Sequence, residues 1–133
     1  MSDGTSSTVR RGRGDRGQAA VELALVLPLL VMLALALCQV ALVVRDQVLV
    51  IHAAREAARA SAVDPDAGAA RRAALSSGTL VPGHLDVEVS GRAGPGSRVH
   101  VTVRYRSPTD LPLIGPLVGD VGLSGTASMR VEV

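Results

Sequence analysis

The chain has 133 residues, 47% of them hydrophobic and 1% aromatic, with a formal charge of +2. That excess sits at one end: Arg10, Arg11, Arg13 and Arg16 outweigh Asp3 and Asp15, while arginines and carboxylates cancel after Gly17. A chain neutral beyond its first tail lacks the basic stripe that phosphate backbones require, which excludes nucleic acid as a partner, and a single cysteine, Cys38, excludes an intrachain disulfide.

Residues 1–17 are rich in Ser, Gly and Arg with no apolar period, and are expected to be a disordered basic leader. From Leu23 to Val44 no residue is charged, and only Pro28, Cys38 and Gln39 interrupt the Leu, Val, Ala and Met. A helix of that length rises ~33 Å, enough for a ~30 Å hydrocarbon core with some tilt. A transmembrane helix is therefore expected over residues 18–44, with Pro28 as its kink. Four arginines before the span, against Arg45 and Asp46 cancelling after it, predict a cytoplasmic N-terminus and an extracytoplasmic C-terminal part in the cell membrane. The exclusive use of arginine among basic residues, with abundant Ala, Val, Gly and Leu, fits a GC-rich bacterial genome.

Three fates compete for such an N-terminus. A secretory signal has an apolar core of about 7 to 15 residues and a small-residue cleavage site, whereas this run is longer and ends without one. A lipoprotein site needs a small residue before the cysteine, and Leu37 precedes Cys38. Gly17-Gln18-Ala19-Ala20-Val21-Glu22 instead places a glycine five residues before one carboxylate at the mouth of the apolar run, and resembles the processing site of type IV pilin-like precursors. The resemblance implies a cut between Gly17 and Gln18 by a prepilin peptidase. It also implies that Glu22 pairs, during assembly, with the new amino terminus on Gln18 of a neighbouring subunit. The competing reading of Glu22 is a carboxylate at headgroup depth near a helix N-terminus, where negative charge is favoured anyway.

Past Arg45 the helical period continues but becomes one-sided. Arg45, His52, Arg55, Glu56 and Arg59 share one sector, and Val50, Ala53, Ala54, Ala57, Ala58 and Ala60 occupy the others. A helix from Arg45 to Ala62 that docks its alanine face on a sheet is expected. Arg55 and Arg59 stand either as a solvated face or as a partner contact. Asp64-Pro65-Asp66 should stop this helix and start a short second one, from Pro65 to about Leu75, and Val81-Pro82-Gly83 reads as a turn.

Period two takes over from His84. Leu85, Val87 and Val89 alternate with polar residues, as do Val99, Val101, Val103 and Tyr105, which predicts two strands joined by residues 91–97. Pairing Val89 with Val99, Val87 with Val101 and Leu85 with Val103 keeps every apolar side chain on one face. A third strand is expected from Leu123 to Val133, with Ala127, Met129, Val131 and Val133 inward. Between them, Pro108, Pro112 and Pro116 recur every four residues and forbid regular helix or central strand. That apolar loop, residues 107–122, has three destinations: packing on the sheet, lying on the membrane, or meeting a partner.

The soluble region collects no catalytic constellation. His52, His84 and His100 lack metal-ligand spacing, no Gly-x-Ser-x-Gly elbow occurs, and Pro95 removes an amide from the glycines at 91–96 that a phosphate cradle would use. No enzyme, metal, cofactor or small-molecule substrate is expected.

The segment Ala53-Ala54-Arg55-Glu56-Ala57-Ala58-Arg59-Ala60, after a membrane helix headed by Gly17 and Glu22, resembles TadE-like pilus-assembly proteins. The resemblance covers Arg16 to about Ala60 and implies a minor pilin or pseudopilin of the tight-adherence type IV pilus system, working with other pilins and pilus-assembly proteins. Leu23 stands where major pilins of that system carry tyrosine, which implies a minor component. The alternatives are an uncleaved bitopic scaffold of an envelope or secretion complex, and a secreted domain released near Arg45. The expected architecture is α+β: one transmembrane helix running into an extracytoplasmic helix packed on a small antiparallel sheet of about three strands, over residues 45–133.

Overall fold

The computed structural model describes residues 14–109 and 115–132. One helix, α1 (Gly14–Val63), opens it, followed by α2 (Ala69–Ser76), a 3-10 turn (Pro82–His84), β1 (Leu85–Ser90), β2 (Arg98–Ser107), α3 (Gly115–Val118) and β3 (Val121–Arg130). The fold is α+β with a three-stranded antiparallel sheet in the order β1-β2-β3. The chain divides into two units, the first ending at Leu35 and the second running from Ala36 to Val133.

In the first unit the helix begins at Gly14, so the end of the segment expected to be disordered is helical; residues 1–13 lie outside the described residues. The apolar run propagates helix backwards past Gly17. Pro28 is inside the helix, and the helical assignment runs through it without interruption. Its ring leaves the carbonyl of Ala24 without an amide partner one turn back.

The second unit is built on the alanine face of α1. Ala53, Ala54, Ala57 and Ala58 are buried, while His52, Arg55, Glu56 and Arg59 are exposed, as the period predicted. Against them lie Val99, Val101 and Val103, all fully buried on the inner face of the central strand. Gly125 of β3 sets the closest approach: a Cβ there would stand 3.0 Å from the carbonyl oxygen of Val50 and 3.2 Å from the Cα of Ile51. Helix backbone thus meets strand backbone with only hydrogen between them. Tyr105, the chain's single aromatic residue, closes the other end of the core, 4% exposed and with its hydroxyl 3.5 Å from the Val81 amide.

The sheet register departs from expectation by two residues. Val89 faces Val101, Val87 faces Val103 and Leu85 faces Tyr105. A shift of two keeps the same side chains on the same face, so the hydrophobic pattern could not choose between the registers. The connection chooses. Gly91 adopts φ +80°, turning the chain out of the sheet after Ser90, and an added Cβ would meet the Arg98 carbonyl oxygen at 2.8 Å. Arg98 and Val99 consequently pair with Arg130 and Met129 of β3 alone. The same loop caps α1: Arg92 Nη1 donates to the carbonyls of Ser61 (2.6 Å) and Asp64 (2.5 Å). No basic residue lies in the last turn of α1, so a cation from the loop serves its exposed carbonyls.

Three further boundaries are corrected. α2 begins at Ala69 rather than Pro65, because the Asp64 and Asp66 carboxylates accept the amides of Asp66 (2.9 Å) and Gly68 (3.2 Å) and hold two successive turns. β3 runs from Val121 to Arg130 rather than from Leu123 to Val133, since Val121 already pairs with Ser107. Val131 is buried beyond its end, exchanging bonds with Ser97 and Gly96, and Val133 lies outside the described residues. Met129, expected inward, is 40% exposed because β3 is an edge strand with no neighbour on that side. Finally, the proline-rich connection does hold a helical turn, α3: Pro116 falls in its first turn, where a missing amide costs no intrahelical bond.

The close approach at Gly125 generates a direct test. Gly125→Val should destabilise the domain by about 1–3 kcal/mol or more, because backbone rather than side chain stands in the way. Gly122→Val, with nothing within 4 Å of its Cβ position, should stay within about 0.5 kcal/mol. Denaturant titration followed by Tyr105 fluorescence in detergent measures both. The Asp66 turn generates another. Its carboxylate is held below the ordinary 3.8 by the hydrogen bond from Arg72, then the Gly68 amide and the Arg72 charge. A lowered folded-state pKa means that its stabilisation is present above 3.8 and is lost as pH falls through the folded value. An NMR titration of Arg72→Ala should move Asp66 back up towards 3.8.

Candidate assembly surface

Three places on the molecule carry side chains that neither the core nor a turn uses. At the start of α1, Gly17, Gln18 and Glu22 are all exposed, and apart from its chain neighbours and the helix's own backbone nothing among the described residues stands within 4 Å of a Cβ position on Gly17. A separation of four residues sets Gln18 and Glu22 one above the other on one helix face, and Gln18 Nε2 donates to Glu22 Oε1 at 3.2 Å. The bond between Gly17 and Gln18 lies just past the first turn of the helix, where the Gln18 amide stands four residues after Gly14. Two glycines in that stretch, Gly14 and Gly17, each weaken helix by ~1 kcal/mol relative to alanine. The first turn therefore opens cheaply.

The second place is the polar face of α1. Arg55 and Arg59 are exposed, one turn apart, and neither makes a side-chain hydrogen bond or ion pair among the described residues. The structure brings them beside His52 and Glu56, whereas Gly17 to Glu22 belong to the other unit. The ion pairs among the described residues are elsewhere and exposed: Arg72 with Asp66 at 2.6 Å, and Arg104 with Glu88 at 2.9 Å and Asp86 at 3.8 Å on the outer face of the sheet.

The third place was not singled out from the sequence. The last apolar stretch of α1, from Ala36, belongs to the compact domain rather than to a bare span. Gln39 is 6% exposed, with Nε2 donating to Thr109 Oγ1 at 3.2 Å; Thr109 in turn donates to the Gly119 carbonyl at 2.6 Å. Two turns on, Asp46 Oδ2 accepts from the buried Ser107 hydroxyl at 2.6 Å, and Gln47 donates to the Ser124 carbonyl at 3.1 Å. Arg45 turns to Thr79 instead of Asp46. The segment after β2 is thereby fastened along α1. An apolar groove of about 310 Å³ remains between Val40, Val43 and Val44 on the helix and Val118 and Val121 opposite. Beside it Leu117 is 76% exposed and Val118 56%. The only hint in the sequence was Gln39 itself, a hydrogen-bonding side chain inside an apolar run. Of the apolar loop residues, Leu111, Leu113 and Ile114 lie outside the described residues.

Almost the whole apolar part of α1 is exposed, which separates it from the core helix of a soluble protein. Residues 17–59 match the family model for TadE-like protein. Over that stretch the chain is TadE-like. The match runs from the glycine at the head of the span to Arg59 of the alanine face, and the strands lie beyond it. No curated protein and no solved structure matches the chain. The matched segment is thus similar to TadE-like proteins, and among the described residues one helix is long and apolar enough to cross a membrane.

If the TadE-like arginines serve a partner rather than the domain, removing them should leave the fold alone. Arg55→Ala and Arg59→Ala should each change the unfolding free energy by no more than about 0.5 kcal/mol in the denaturant titration. A loss above about 1 kcal/mol would assign them to the domain's own stability.

Proposed function

We propose that this protein is a minor pilin or pseudopilin of the Tad pilus, made as a precursor and cut between Gly17 and Gln18 by a prepilin peptidase. The reading has a cytoplasmic N-terminus, a C-terminal domain outside the membrane, and no catalytic role. The observation that carries it is the head of the TadE-like helix: an unobstructed glycine followed, on one face, by Gln18 and Glu22.

Elementary electrostatics gives these residues their order of events. A cut after Gly17 frees an α-amine on Gln18, with an ordinary pKa of about 7.7–8.0 and thus mostly charged at neutral pH. A cation at a helix N-terminus opposes the helix dipole. Glu22, one turn along, is the nearest carboxylate in the sequence able to offset it, either in its own chain or in a neighbour's. In an apolar surrounding an unpaired carboxylate is costly, so a neighbour's amine opposite Glu22 fixes register as well as contributing energy. Arg55 and Arg59, free of domain contacts among the described residues, supply a second surface for pilus-assembly partners.

One observation favours a second reading. The helix is continuous through Gly17 and Gln18, and an uncleaved bitopic scaffold would keep it so. Mass spectrometry of the N-terminus in membrane-derived protein, from cells with and without their prepilin peptidase, separates the two. The expected result is a peptidase-dependent start at Gln18, with Glu22→Gln still cut but depleted in the sheared pilus fraction by tenfold or more. Residues 1–17 retained in both strains would leave the scaffold.

A further inference from the structure

We infer that the α3 turn, through Leu117 and Val118, is a second membrane contact of this protein, seated in the lipid at the boundary between headgroups and acyl chains beside the end of the span.

A conflict within α1 points there first. The uncharged run extends to Val44, yet its last residues, from Ala36, bear part of the folded domain. Leu37, Val40, Leu42 and Val44 remain more than 40% exposed there. Lipid is the surrounding that suits such a surface, and the first charge is at Arg45. The groove sets Val118 against Val40, Val43 and Val44. Those helix residues lie one to five positions before Arg45, ~2–8 Å along the axis. A turn at that level sits at the ~5–10 Å depth of interfacial helices. Its outward side chains are apolar, Leu117 being the most exposed large hydrophobic residue among the described residues.

Of the Gln39 side chain at that level, the amide nitrogen is bonded inside the fold, while Oε1 is buried with no hydrogen-bond partner among the described residues. Gln39 would be costly facing acyl chains. Its Nε2 is turned inward instead, onto Thr109, whose own proton goes to the carbonyl of Gly119, the residue whose amide closes the α3 turn by donating to the Gly115 carbonyl. The loop thus shields the one amide side chain of this stretch and presents leucine and valine outward. The chain has no Trp and one Tyr, which is buried, so no aromatic belt is available to hold the domain at the surface. Leu117 and Val118 take that role. Membrane contact of this kind depends on the span but not on cleavage at Gly17 or on pilus assembly.

The test uses the full chain in vesicles of phosphatidylcholine and phosphatidylglycerol, in a Cys38→Ala background, with one bimane label at a time on Leu117→Cys, Leu30→Cys or Ser128→Cys. Lipids brominated at shallow or deep acyl positions and aqueous iodide are the quenchers. The expected result is strong shallow-lipid quenching at residue 117, deep-lipid quenching at residue 30, and iodide quenching alone at residue 128, with at least a fivefold contrast between 117 and 128 for lipid. Iodide quenching at 117 equal to that at 128, with residue 30 still in lipid, would overturn the inference and leave the pilus reading standing. Protection of 117 from both quenchers would overturn it too, by assigning the turn to a second copy of the chain. Absence of lipid quenching at residue 30 would remove the membrane reading and the inference with it.

Discussion

The distance between α1 and the sheet is the constraint on which the domain depends. Aromatic and large aliphatic side chains usually fill the space between a helix and a sheet, but here four alanines face three valines, and Gly125 lets the strand backbone touch the helix backbone. Small side chains bury little area each, so the core gains by proximity what it lacks in volume. That choice has a consequence. Any side chain larger than hydrogen at Gly125, or larger than methyl at Ala53 or Ala57, has to push the two layers apart along their whole contact. The polar devices of the domain then hold the layers from their ends: Arg92 on the last carbonyls of α1, and Asp46, Gln47 and Gln39 along its lower side.

The helix and the strands were legible because each repeats a single period. Arg55, Glu56 and Arg59 face out and Ala53, Ala54, Ala57 and Ala58 face in for the same reason that Val99, Val101 and Val103 do: a side chain about every 100° or every 180° leaves no choice of face. Features set by one conformation rather than by a period were not legible. The register turned on φ at Gly91, and the start of α2 on two carboxylates that preferred local amides to a helical ladder. Prolines in the 107–122 connection concealed α3, because a proline that ends one helix begins another equally well. Of the site, the Gly17–Gln18–Glu22 spacing was written in the residues themselves, and the fastening of the loop to α1 was not: Thr109 and Gln39 are 70 positions apart, and nothing local links them.

Gln39 shows how the domain and the span share residues. Read along the sequence it is a defect in an apolar run, yet in three dimensions it joins the loop to the helix. Asp46 makes a similar junction further along α1, with Ser107 as its partner in place of Arg45. The charge balance just after the span, which made the orientation argument simple, therefore rests on two groups that do not pair with each other. In the formal count of charges after the apolar run the two residues still cancel.

The depth of the domain and the chemistry of Glu22 are one question. If the hydrocarbon ends near Val44, with the α3 turn in its margin, then Glu22 sits just before the apolar run begins, within reach of headgroups and water. Had the span ended at Leu35 instead, the roughly 20 residues that a ~30 Å hydrocarbon core needs, counted back along the sequence, would take in Glu22. There a carboxylate without a partner would be costly. Such a span would also draw the Gly17–Gln18 bond away from any water needed to hydrolyse it. The first placement leaves both the Gly17–Gln18 bond and the Glu22 carboxylate at the edge of the apolar run, where the proposed cut and the proposed pairing would need them. An apolar turn beside Val40 and Val44 would suit that placement, since it sets Val118 rather than a charge against the last apolar residues of the run.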